Sequence, residues 1–115
     1  MRSLAAIFVF LAGSSIAQAE VTLGSREVLL DNQFVEVVRL TYPVGTESGM
    51  HKHEYPNRAA YFVKGGKAEL IPADPQKPHQ VIEVPDGAAL FLPATTHNVR
   101  NIGETEIIII ETEIK

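Results

Sequence analysis

Residues 45–65 read GTESGMHKHEYPNRAAYFVKG, and how this stretch is read decides what the chain can be. On an extended strand, residues two apart project to the same side. His51 and His53 therefore point together, and two imidazoles can meet one ion at about 2.0–2.1 Å. Alone, such a pair is weak evidence, because exposed histidine pairs are common. Its surroundings strengthen it: Gly45 precedes His51, Gly65 follows His53, and a third histidine, His97, arrives late in the chain. Five residues after His53 stands Arg58, a fixed positive charge.

The residues around this stretch predict strands and no helix. Short β-rich runs fall at 27–30, 34–42, 50–53, 59–63, 68–71, 80–84, 88–92, 96–101 and 106–114, separated by Gly, Pro, Asn and Asp. Many short strands with closely spaced turns indicate an all-β sandwich or barrel. No repeat or linker divides the chain, so one domain is expected. The run 107–110 is four isoleucines, which do not alternate with polar residues. Such a strand is covered on both faces, or has one face in a dimer interface.

The chain opens MRSLAAIFVFLAGSSIAQAE: one arginine, an apolar run over 4–11, then small residues ending in Ala17-Gln18-Ala19. This is the layout of a secretory signal peptide cleaved before Glu20, and the apolar run falls short of the roughly 20 residues a membrane span needs. The expected division is residues 1–19 as signal peptide and 20–115 as the domain. A periplasmic or secreted location follows, with no membrane partner after cleavage. A domain of this size buries only somewhat over ~60% of its unfolded surface, so pairing into a homodimer would help it.

The formal charge of −4 and the lack of a basic patch argue against nucleic acid. With no cysteine, disulfides, a thiol-anchored lipid and thiolate metal ligands are all excluded. Histidine nitrogen and carboxylate oxygen remain as donors.

With those residues in place, the sequence resembles the cupin superfamily. Its first motif is matched as Gly45-TESGM-His51-K-His53-EYPN-Arg58-AAYFVK-Gly65, with every spacing met. The second is matched as Gly87-AALFL-Pro93-ATT-His97-NVR-Asn101, one residue shorter between proline and histidine and with Thr95 where the motif has glycine. The resemblance runs from about Phe34 to the C-terminus, and the ending is like that of small single-domain cupins. It implies a jelly-roll β-barrel with a divalent metal on three histidines and a glutamate. Carried over, the ligands are His51, His53 and His97. The glutamate is absent: Arg58 stands in its place, with Asn57 at the alternative spacing. The implied cofactor is a divalent ion, and histidine donors do not choose among iron, zinc, manganese, nickel and copper.

Arg58 leaves two readings open. If it faces inward with Ala60 and Phe62, it repels a nearby divalent cation unless an anion bridges the two. A small carboxylate ligand, bound to the metal at one end and to the guanidinium at the other, would do this. Otherwise Arg58 turns outward, to solvent or to Glu54. Phe62 and Phe91 are expected in the pocket wall, beside Arg58 as ligand-binding residues. Glu54 and Met50 should face away from the site. His79 falls in a proline-rich hairpin tip, and Asn101 should satisfy backbone groups at a turn.

Three functions fit these residues. One is a metal-dependent enzyme, dioxygenase-like or Lewis-acid, acting on a small carboxylate. No residue stands out as a dedicated general base, so its catalytic residues are unassigned. The second is a non-catalytic periplasmic module that binds a metal or small molecule. The third is a structural domain with a vestigial site. A fold alone does not choose among them.

Overall fold

The structure is a computed structural model that describes Gly13 and residues 20–115. The expected signal peptide, residues 1–19, lies outside the described residues apart from Gly13. Nine strands follow in order: β1 (Ser25–Asp31), β2 (Val35–Tyr42), β3 (His51–Lys52), β4 (Asn57–Lys64), β5 (Gly66–Pro72), β6 (Gln80–Val84), β7 (Ala89–Pro93), β8 (Thr96–Asn101) and β9 (Ile107–Ile114). Each falls where the punctuation of the sequence places it, within two residues at either end. β3 is the shortest: its pairing ends at Lys52 and His53 continues unladdered.

The strands form two antiparallel sheets, one in the order β1-β2-β9-β4-β7 and one in the order β3-β8-β5-β6. This is the jelly roll, with its core between the sheets. Alternation decides which residues enter it. On β4, Arg58, Ala60 and Phe62 are buried, while Asn57, Ala59, Tyr61 and Val63 are exposed. Tyr42, Ala60, Phe62, Ala68, Ile107 and Ile109 make the central cluster, with Leu40, Ile82, Val84, Leu90, Leu92 and Val99 packed around it.

The isoleucine run is explained by position. β9 lies in the middle of its sheet, between β2 and β4, so both edges are paired. Ile107 and Ile109 face the core, while Ile108 and Ile110 are half-buried on the outer face. The inner face is thus covered by the core and the outer face only partly.

Both glycines of the first motif have a physical reason. Gly45 sits in the turn after β2 at φ 80°, a conformation in which a side chain is strained. A Cβ on Gly65 would lie 1.9 Å from the Val84 carbonyl oxygen, so only glycine fits where β4 turns into β5. Asn101 does what a turn asparagine should. Its Nδ2 donates to the carbonyls of Tyr42 and Thr105, each at 2.8 Å, and its Oδ1 accepts from the Gly103 N–H at 3.0 Å.

Candidate metal centre

Strand pairing brings the histidines together. β3 lies antiparallel to β8 with His51 directly opposite His97. His53, one residue beyond β3, is tied by its backbone N–H to the Thr95 carbonyl at 2.8 Å. The three rings converge inside the barrel: His51 Nε2 lies 2.8 Å from His53 Nε2, which lies 3.2 Å from His97 Nε2.

The outer nitrogens show what those contacts are. His51 Nδ1 is 2.9 Å from the Gly49 carbonyl, which can only accept, so this nitrogen carries the hydrogen. His53 Nδ1 contacts the Glu113 carboxylate in the same way, with Glu111 Oε1 at 3.7 Å. A neutral ring has one N–H, so the Nε2 atoms of His51 and His53 both carry lone pairs. Two lone pairs aimed at each other across 2.8 Å need a cation between them.

On His51 and His97 a proton is disfavoured as that cation. Burial pushes the His51 pKa down, and burial together with repulsion from His51, Arg58 and His53 pushes His97 down to about 3. Neutral imidazole is the form that ligates a metal. Nitrogens each about 2.0–2.1 Å from one ion lie roughly 3 Å apart, which the observed spacings match. The residues present fit a divalent ion held by His51, His53 and His97.

Two further residues belong to this site, and the motif spacing does not point to them. Glu111 and Glu113, near the end of β9, are buried and group with His53 as potential metal-binding residues. A signal exists in the sequence: in "IIIIETE" the glutamates at 111 and 113 continue the inward phase of Ile107 and Ile109. The motif position hides it, because the acid arrives from the neighbouring strand.

That neighbour also settles Arg58. It faces inward and is 3% exposed. Its Nη1 donates to Glu111 Oε2 at 3.0 Å, and its Nε approaches the Pro93 carbonyl at 3.5 Å. The alternative partner, Glu54, is exposed and makes no ion pair with Arg58; against expectation it lines a recess shared with His51 and His53, while Met50 is exposed. Register explains the pairing: Arg58 lies opposite Glu113 and Ala60 opposite Glu111 on β9. One cation against two carboxylates leaves one formal negative charge beside the histidines, as a single motif glutamate would.

Beneath the histidines the barrel encloses a cavity of about 400 Å³, walled by aliphatic residues such as Leu40, Leu70, Leu90 and Leu92. Arg58 and Phe62 line it as expected. Phe91 does not: it is 67% exposed, and the alternation of β7 puts its neighbours Leu90 and Leu92 inside instead. Lys77 and Pro78, from the exposed β5–β6 hairpin tip, also line the cavity. His79 at that tip is exposed and 3.0 Å from Glu69. A more polar recess, lined by Arg26, Glu36, Ser48 and Tyr55 among others, meets His51 and His53 from another side.

The family model of the cupin domain matches residues 38–113. The chain is a cupin. No curated protein matches it. Among solved structures this cupin is similar to a cupin domain from Bordetella pertussis Tohama I, with 25% identity over 85% of this chain and 99% of that one, at a TM-score of 0.76. It also resembles an uncharacterized conserved protein with a double-stranded β-helix domain from Klebsiella pneumoniae (18% identity, 84% and 81% covered, TM-score 0.64). A third similar structure is an RmlC-like cupin from Methanocaldococcus jannaschii (14% identity, 84% of each chain, TM-score 0.62). These last two bear on the fold alone.

Proposed function

We propose that this cupin is a small exported protein that holds a divalent metal on His51, His53 and His97 and uses it to bind a small carboxylate in the barrel. One observation carries the reading: the Nδ1 atoms of His51 and His53 face acceptors, so their Nε2 lone pairs converge and call for a cation. A bound ion would supply Lewis acidity to an oxygen donor. The chain itself contributes the histidine ligands, a cavity walled largely by aliphatic residues, and Lys77 beside it as a cation for an anionic ligand. Arg58 is the weaker anchor, because Glu111 already takes its Nη1.

A specific observation favours the non-catalytic alternative. Both carboxylates at the site are engaged, Glu111 by Arg58 and Glu113 by His53, so neither is free to act as a general base. Pairing with a second copy is supported by a largely apolar row across the outer face of the five-stranded sheet: Leu30, Val37, Thr112, Ala59 and Phe91 align strand by strand.

The test is metal analysis of the full chain, stripped with chelator and reloaded with zinc, beside a His51→Ala/His53→Ala variant. About one zinc per chain, lost in the variant, supports the reading. No zinc in either overturns it. Metal-dependent turnover of a small carboxylate would select the enzyme; saturable binding without turnover would select the module.

A further inference from the structure

An arginine in the glutamate position should ruin a divalent site, since it replaces an attractive charge by a repulsive one. Strand β9 contains the remedy. Its inward row runs Ile107, Ile109, Glu111, Glu113, and the last two reach the histidines and Arg58 at the same level of the barrel. We propose that Glu111 and Glu113 together replace the missing motif glutamate: Glu113 holds His53 in the tautomer whose Nε2 is free, and Glu111 takes up the charge of Arg58. The proposal rests on the metal-centre reading above and deepens it.

The two roles are distinct in geometry. Glu113 contacts Nδ1 of His53, the nitrogen turned away from His51 and His97. A carboxylate there fixes ring orientation and raises the basicity of the opposite nitrogen; removing such a partner commonly costs about 10–100-fold in metal affinity. Glu113 is thus a positioning residue. Glu111 lies between two groups, with one oxygen 3.0 Å from Arg58 Nη1 and the other 3.7 Å from His53 Nδ1. At 5% exposure it answers a guanidinium that is itself 3% exposed, so neither charge has bulk water to screen it.

The experiment uses the full chain in two measurements. Long-range ¹H–¹⁵N correlation on the metal-free protein reads the imidazole tautomers. Competition with a chromophoric chelator reads zinc affinity. Wild-type His53 is expected as the Nδ1–H tautomer; an Nε2–H tautomer there overturns the proposal without any variant. Glu113→Met should release His53 into a tautomer mixture and weaken zinc binding about 10–100-fold, while Glu113→Gln, which keeps an acceptor oxygen, should restore most of both. Glu111→Gln should weaken zinc binding by leaving Arg58 uncompensated, and Arg58→Met/Glu111→Gln should bring it back near wild type. Equal losses in the single and double variants would overturn the role given to Glu111. Zinc binding unmoved by any of these changes overturns this proposal alone. No zinc binding by the wild type overturns the metal reading beneath it.

Discussion

The two halves of β9 point the same way into the barrel and meet opposite surroundings. Ile107 and Ile109 close the apolar core against Tyr42, Ala60, Phe62 and Ala68. Glu111 and Glu113, on the same row, are buried as deeply but face Arg58 and His53. A buried carboxylate without a partner is costly, and a buried isoleucine needs none. What separates the halves is therefore the cross-strand neighbour. The register that sets Phe62 opposite Ile109 also sets Arg58 opposite Glu113.

The largest expected effect comes from erasing this difference. Glu111→Ile extends the isoleucine row and strands the Arg58 guanidinium. Breaking one side of a buried ion pair costs about 3–5 kcal/mol, so chemical denaturation should show a loss of that size, most of it regained in Arg58→Met/Glu111→Ile. A loss that persists in the double variant would mean that Glu111 acts through packing. In the apolar half, Ile107→Ala should cost about 2–5 kcal/mol through lost burial and the cavity it leaves, with zinc affinity unchanged. If zinc affinity falls as well, the halves are not independent.

Tyr42 lies where the halves touch, packed in the core yet raised in pKa by its surroundings. Burial first, then the Glu111 charge, pushes its hydroxyl up to about 12. A phenol whose folded pKa is raised contributes stability that is whole below the unfolded value near 10. That stability is lost as pH climbs toward the folded value. By pH 11 the loss should be about 1.4 kcal/mol. Comparing urea midpoints at pH 9 and pH 11, Tyr42→Phe should be the less alkali-sensitive protein. Equal sensitivity would show that other groups carry the alkaline response. The smallest effect is expected at Phe91→Ala, within about 0.5 kcal/mol and without change in ligand or zinc binding. A larger loss would mean that a second copy covers the outer face of the five-stranded sheet.

Much of this protein is legible in its residues. Gly, Pro, Asn and Asp mark nearly every strand end, and the spacing of His51, His53 and His97 announces a shared site. Asn101 is readable as a turn residue, and Glu54 as an exposed one. Phe91 is the misreading: the facing expected for β7 is off by one residue, and one residue exchanges the faces of a strand. The two glutamates are hard to find for a different reason. Glu113 touches His53 across 60 positions of sequence, and no local pattern links residues so far apart.

What the sequence by itself determined is the set of strands, the family motifs and the three histidines, because alternation, turn chemistry and short spacings are local properties. It also determined that the acid at the motif position is gone. Whether the site therefore lacks acid was decided only by tertiary structure. The placing of β9 between β2 and β4 is a long-range pairing. That pairing carries Glu111 and Glu113 to Arg58 and His53, contacts that span 53 and 60 positions of the chain.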